Sequence, residues 1–412
     1  MKFALVSCLV LGLVVTTKSQ TTPLPVGSEA IVRGGLPHFF SKIKENKKVK
    51  VAYLGGSITR ADKGWRDQTF EWIQKQYPSV GFEQIMAAIG GTGSDFGAHR
   101  LQRHVLQYRP DLVFVEFAVN DNSKPANEIK EAMEGIVRQI WMQSPKIDIC
   151  FVYTFSKPQL EFYQAGNFPV SASAMEQVAD YYQIPSICMA LPAVRLITEG
   201  KMLLQGKPKE QPDKMIFSED GVHPFSETGQ KVYAETVGRY LKQWETTTTS
   251  QKHKLKTPMM PRNLENAKLL SLDKINKSKG WKRVDTSAIG RGFASMFAPI
   301  YASADSSDFL QFSFKGTSVG LVDIIGPSSG QVVVWIDQDA PRYINRFDEY
   351  CTYNRLSYTL INGLKAGTHK VTMKVSPNKL DKAAILQKRN NKISDPALYE
   401  KQFLYIGAIL EK

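Results

Sequence analysis

Through the first 245 positions, short continuous apolar runs alternate with amphipathic stripes. The runs at 49–54, 82–88, 112–117, 147–154 and 185–189 have strand length and no polar alternation, as expected of strands buried on both faces. Between and after them, apolar residues recur at helical spacing over 65–77, 94–108, 127–143, 172–182 and 226–244. The alternation predicts a doubly wound, mostly parallel sheet with helices on both faces. In such sheets ligands bind beyond the carboxyl ends of the strands. Residues 21–48, punctuated by Pro23, Pro25, Gly34 and Gly35, read as a polar lead-in.

The pattern changes at Thr246. Residues 246–263 hold a threonine run, scattered lysines, Pro258 and Pro261, which together read as a linker. Beyond it the period becomes two. Leu310, Phe312 and Phe314 share one face, as do Val332, Val334 and Ile336, and Val371, Met373 and Val375. Turn signals lie at Gly316, Gly326-Pro327 and Gly367, and a last apolar run, 403–410, is placed to close a sheet. Residues 264–412 are therefore expected to form a β-sandwich, jelly-roll-like in topology, after a first unit at 20–245.

Composition adds three points. First, 42% hydrophobic and 22% charged residues describe an ordinary globular chain, and 412 residues suit two domains. Second, Lys2 followed by an apolar stretch at 3–15 reads as a secretory signal spanning 1–19, too short to cross a membrane; the expected location is secreted or periplasmic. Third, with Cys8 removed, Cys150, Cys188 and Cys351 remain, widely spaced and odd in number, which is neither a disulfide framework nor a zinc pattern. The net charge of +14 is spread over many lysines without a nucleic-acid motif. It reads as a solvated basic surface or as attraction to an acidic polysaccharide or anionic surface.

The chemistry lies at the strand ends. The run at 49–54 ends in Gly55-Gly56-Ser57, and Asp220-Gly221-Val222-His223 comes much later. A serine hydroxyl needs a neighbouring base, neutral imidazole can take its proton, and a carboxylate three residues before the histidine can orient the ring. Of the six histidines, only His223 has a carboxylate three residues earlier and a proline directly after it. Gly90-Gly91-Thr92-Gly93 follows the second run and Asn120-Asp121 the third.

With these four blocks in order, residues 45–245 resemble the SGNH hydrolases, also called the GDSL lipase/acylhydrolase family. The resemblance implies a flavodoxin-like α/β sheet and assigns Ser57 as nucleophile, His223 as base and Asp220 as its orienter. It implies an oxyanion hole made by the Ser57 N–H, Gly91 and Asn120, and no metal or organic cofactor. Two positions depart from the family pattern: Gly56 stands where many members carry Asp, and Met86 where many have Asn. Arg60, Asp62, Trp65 and Arg66 follow the nucleophile and are candidates for lining the substrate mouth; the alternative is that Trp65 anchors a helix start and Arg66 is a surface ion-pair partner, while Glu116 reads as a structural acid. The expected function is a serine esterase acting on O-acyl, most simply O-acetyl, groups of a polysaccharide or oligosaccharide. The alternatives are a lipid or thioester acylhydrolase, and a non-catalytic carbohydrate-binding protein on a hydrolase fold. Aromatics of the second unit, Trp335, Tyr343, Tyr350, Tyr353 and Tyr358, would either stack on sugars or fill its core.

Overall fold

The computed structural model describes residues 22–246, 253–285, 289, 291–294, 296–297 and 299–412. The expected signal segment lies outside the described residues, as do residues 247–252 of the expected linker. The first domain runs β1 (Ala30–Ile31), α1 (Pro37–Lys44), β2 (Val49–Gly55), α2 (Ser57–Arg60), α3 (Trp65–Gln76), β3 (Phe82–Ala88), α4 (Ser94–His104), β4 (Leu112–Glu116) and α5 (Ala126–Gln143). It continues with β5 (Asp148–Tyr153), α6 (Leu160–Gln164), α7 (Val170–Tyr182), β6 (Ser186–Cys188), α8 (Ala190–Thr198), β7 (Leu203–Gln205), β8 (Ile216–Ser218) and α9 (Gly229–Trp244).

The main sheet has the order β1-β6-β5-β4-β2-β3. All its pairs are parallel except β1 with β6. β4 and β5 are buried at every position, which is why their sequences show no alternation. β3 lies on one side of β2 and β4 on the other, so the crevice where ligands bind in such sheets opens beyond β2 and β4. The lead-in expectation is corrected. Residues 37–44 are helical and bury Phe39, Phe40 and Ile43, and Arg33 reaches Glu176 and Asp180 at 2.6 and 2.7 Å. The helical spacing of 36, 39, 40 and 43 was present, but two turns are a weak signal beside prolines and glycines.

The second domain is built on β-strands, with short helices only at Arg291–Ala294, Lys382–Gln387 and Pro396–Tyr399 among the described residues. Its strands are β9 (Lys268–Leu270), β10 (Asn276–Lys277), β11 (Lys282–Arg283), β12 (Tyr301–Ser303), β13 (Phe309–Gly316), β14 (Val319–Ile325), β15 (Gln331–Ile336), β16 (Arg342–Asn345), β17 (Arg355–Ile361), β18 (Gly367–Val375) and β19 (Leu404–Glu411). They form two antiparallel sheets, β10-β13-β18-β15-β16 and β11-β12-β19-β14-β17, with β9 added beside β19. Leu310, Val332, Val334, Val371 and Met373 of one sheet meet Val319, Leu321, Ile406 and Ile409 of the other in the sandwich core.

The second of these sheets is covered on both faces along β14 and β19. Val322 and Ile324 of β14, Leu356, Tyr358 and Leu360 of β17, and Ala408 and Leu410 of β19 point away from the sandwich core. They join Ile89 and Phe96 of the first domain in one apolar cluster. β14 is accordingly buried along its whole length. The described part of the linker is docked as well. His253 stacks on Trp141 at 4.7 Å, Glu134 accepts the Met259 N–H at 2.5 Å and the Met260 N–H at 2.6 Å, and the Leu264 N–H reaches the Glu131 carbonyl at 2.9 Å.

A chain ended at Glu245 would expose Ile89 and Phe96, each worth about 1.5–3 kcal/mol of burial. Such a truncate is expected to unfold at a clearly lower temperature than the full chain and to bind a hydrophobic dye. Cooperative unfolding at the full-length temperature would contradict energetic coupling of the two domains.

Candidate active site

β2 delivers Ser57 directly into the four-residue helix α2. Ser57 Oγ lies 2.8 Å from His223 Nε2, and His223 Nδ1 lies 2.6 Å from Asp220 Oδ2. An ionised carboxylate only accepts, so Asp220 selects the tautomer protonated at Nδ1 and leaves Nε2 to accept the Ser57 hydroxyl proton. The loop that follows β8 is folded on the same carboxylate: Asp220 Oδ1 accepts the N–H groups of Val222 and His223, both at 2.8 Å. Burial pushes the Asp220 carboxyl up, but the N–H and ring of His223 and the Val222 N–H outweigh it and hold it below the usual range. The carboxylate therefore stays charged as pH falls toward the usual carboxylate range. Side-chain exposures of 53% for His223 and 52% for Asp220 make this an open site.

Two loops flank Ser57. The first, after β3, turns at Gly90-Gly91, with the Thr92 hydroxyl bonded to the Ile89 carbonyl at 2.8 Å. Gly91 has φ of +72°, a conformation that favours glycine. A Cβ on Gly90 would lie 3.6 Å from Ser57 Cβ, so this turn passes beside the serine. The second loop, after β4, carries Asn120. A Cβ on Gly56 would fall 1.9 Å from Asn120 Oδ1, so the Asn120 amide occupies the space beside the residue preceding Ser57. That contact accounts for a glycine at 56. Ser57, Gly91, Asn120, Asp220 and His223 thus stand together beyond the ends of β2, β3, β4 and β8.

Around them lies a buried polar frame. Glu116 accepts from the Thr59 and Thr154 hydroxyls at 2.8 and 2.7 Å, and burial raises its pKa. Arg100 is fully buried and donates to the Ala87 and Gly55 carbonyls at 2.5 and 3.2 Å, at the ends of β3 and β2. Asp121, next to Asn120, accepts the Ser94 N–H at 3.2 Å and lies 3.0 Å from Lys124 Nζ, which is 2.5 Å from Asp95. Asp95, Arg100, Asp121 and Lys124 carry no signal that sequence reading singled out: a charged residue on a helical stripe or in a turn reads as solvated.

The substrate-mouth expectation is corrected at two positions. Trp65 is fully buried, with its N–H on Gln230 at 2.9 Å and its ring packed on Tyr53 and Phe114, so it has no surface for a substrate. Arg66 is buried and committed to Asp67 by two bonds of 2.9 Å. Arg60 is exposed at the end of α2. Among the described residues, one group offers metal-ligand atoms within 4.8 Å of one another: His38, Asp148 and His253. It lies at the amino end of β5, the opposite end of the parallel sheet from Ser57. Both Asp148 oxygens already accept bonds, from the Phe39 N–H at 2.8 Å and His253 Nε2 at 2.7 Å, so it reads as the junction that docks the linker.

A serine, an imidazole and a carboxylate in one hydrogen-bonded line, on a doubly wound sheet, is the arrangement serine hydrolases use. Residues 53–231, within the α/β domain, match the sequence model of the GDSL-like Lipase/Acylhydrolase family, so over this region the chain is similar to carboxylic ester hydrolases of that family. No curated protein matches the chain. Among solved structures, a two-domain esterase active on acetylated mannans, co-crystallised with mannopentaose, superposes with a TM-score of 0.72 at 20% identity. It covers 92% of this chain and 95% of its own. A second structure of a two-domain esterase active on acetylated mannans gives 0.73 at 21% identity, covering 92% and 96%. At this identity the likeness is one of fold, and it extends over both domains.

Gly56→Ala would drive a methyl into the Asn120 amide. Overpacking of this kind costs about 1–3 kcal/mol. The variant is expected to lower the unfolding temperature and to displace the Asn120 side chain in its crystal structure. Full stability with Asn120 unmoved would contradict the contact.

Proposed function

We propose that this protein is a secreted serine esterase that removes O-acetyl groups from a polysaccharide or oligosaccharide. The observation that carries the mechanism is the hydrogen-bonded line from Ser57 through His223 to Asp220. In this reading His223 Nε2 takes the hydroxyl proton as Ser57 Oγ attacks the ester carbonyl. Asp220 stabilises the resulting imidazolium, which then gives the proton to the departing sugar hydroxyl. The acyl-enzyme is hydrolysed by water activated at the same nitrogen. Gly91 N–H, Asn120 and Ser57 N–H are the donors proposed to meet the oxyanion as charge develops on it.

Three features support a carbohydrate substrate. The imidazole and carboxylate are half exposed, which suits a polymer laid across an open site. A two-domain esterase active on acetylated mannans shares the arrangement of both domains. The apolar stretch at 3–15 behind Lys2 suits export to where such polymers occur.

The deciding experiment incubates the full chain with acetylated polysaccharides, aryl acetates, long-chain lipid esters and acyl thioesters, and measures released acid. Preference for lipid or thioester substrates would overturn the carbohydrate assignment. Glycan binding without turnover, and without phosphonate labelling at Ser57, would overturn the enzyme. Ser57→Ala is expected to lose several orders of magnitude in kcat. Asn120→Ala is expected to lose about 10²–10³, mainly in kcat; a change confined to KM would make Asn120 a binding group instead. His223 acts as the base only while its Nε2 is free to accept the Ser57 proton. kcat/KM should rise with pH, and that limb should vanish from the residual activity of His223→Ala.

A further inference from the structure

The hydroxyl of Tyr358, on β17 of the second domain, reaches into the first. It donates to Asp95 Oδ1 at 2.7 Å and accepts the Gly93 N–H at 3.4 Å. Its ring stacks on Phe96 at 4.8 Å and 18°. One ring face is therefore covered, against the alternative that this tyrosine stacks on sugars. We propose that Tyr358 is a positioning residue for ester hydrolysis: acting through Asp95, it fixes the loop that presents the Gly91 N–H. The inference rests on the reading of Gly91 and Asn120 as oxyanion donors.

The hydroxyl carries the argument. A phenylalanine would fill the apolar interface equally well, whereas the Tyr358 oxygen bonds Gly93 and Asp95, two and four residues after Gly91. Burial raises the Tyr358 pKa, so the hydroxyl keeps its proton and donates. Asp95 Oδ1 takes three donors, Tyr358, Lys124 Nζ at 2.5 Å and the Phe96 N–H at 2.8 Å. Lys124 also pairs with Asp121 at 3.0 Å, and Asp121 accepts the Ser94 N–H at 3.2 Å. The loop carrying Gly91 and the loop carrying Asn120 are thereby clamped to each other, and Tyr358 adds a support from outside the domain. Oxyanion donors act by being in place before charge develops, so a loosened loop should slow the chemical step more than it weakens ground-state binding.

Tyr358→Phe in the full chain keeps the ring stack and removes only the hydroxyl. It is expected to lower kcat about 10-fold, with KM within about two-fold and the unfolding temperature nearly unchanged. Asp95→Asn should also lower kcat, and the double variant should be no slower than the slower single one. Leu360→Ala, which thins the same interface without touching Asp95, should lower the unfolding temperature and leave kcat as in the wild type. An unchanged kcat in Tyr358→Phe, multiplying penalties in the double variant, or an equal kcat loss in Leu360→Ala would each overturn the proposal. A wild-type chain that neither turns over esters nor labels at Ser57 would overturn the esterase reading and this inference with it. An active wild type with an unaffected Tyr358→Phe overturns this inference alone.

Discussion

The site depends on a largely buried cluster of two carboxylates and one ammonium: Asp121, fully buried, with Asp95 and Lys124, partly buried. Asp121 is fully buried, and its desolvation pushes its pKa up. Lys124 is mostly buried too, but the two carboxylates outweigh that desolvation and raise its pKa. The ammonium between them offsets that desolvation for Asp121, the one member of the three that is fully buried. Asp121 also sits at the amino end of α4, where a negative charge meets unpaired N–H groups. The geometry leaves no slack. A Cβ on Gly93 would come within 2.2 Å of both Asp121 Oδ1 and Lys124 Nζ, so the backbone must pass there bare. The cluster thus joins the loop after β3 to the loop after β4, the two loops that flank Ser57.

The first turns of α4 are also where the domains meet. Phe96 stacks on Tyr358 on one side and lies 5.7 Å from the Arg100 guanidinium on the other. Arg100 in turn holds the carbonyl ends of β2 and β3. A continuous set of contacts therefore runs from β17 of the sandwich to the strand that delivers Ser57. A flexibly tethered binding domain acts by raising local substrate concentration. This second domain, with β14 buried on both faces and the described part of its linker docked along α5, is built into the scaffold of the first.

Much of the α/β sheet was legible because its strands are buried on both faces and its helices are long enough for a stripe to show. The five apolar runs correspond to β2 through β6, and the helical stripes to α3, α4, α5, α7 and α9. Helices of about two turns were not legible, α1 and α8 carrying too few periods, and neither were the short strands β1, β7 and β8, which lack the flanking apolar run that marks the equally short β6. At the site, the residues brought together around Ser57 are those whose motifs combine several residue types at fixed spacing. For Trp65 and Arg66 nearness to Ser57 in sequence left a substrate and a structural reading open, and burial decides for the structural one. The turn after α2 sends both into the interior, where Trp65 packs on Tyr53 and Phe114. The network of Asp95, Asp121, Lys124 and Tyr358 was out of reach because it joins residues more than 230 positions apart, and no single-residue signal separates a surface charge from one buried by a distant strand.

The departure at Gly56 acquires a physical meaning from the same geometry. Where many family members carry an aspartate before the serine, this chain has no side chain, and Asn120 Oδ1 stands 1.9 Å from where the Cβ would be. The two positions share one volume. A side chain at 56 would require the Asn120 amide to lie elsewhere; its absence lets the amide pack against the backbone that leads into the nucleophile. Glu116, at the end of the strand preceding Asn120, bonds Thr59 in the turn that follows Ser57. The two segments are therefore locked on both sides of the serine, by side-chain contact at Gly56 and by a buried hydrogen bond at Thr59. Placement of Asn120 relative to Ser57 then follows from packing within the first domain, whereas placement of Gly91 also draws on the second. Of the three proposed oxyanion donors, the Ser57 N–H and Asn120 are thus held chiefly within the first domain, and Gly91, on the proposed role of Tyr358, draws on both.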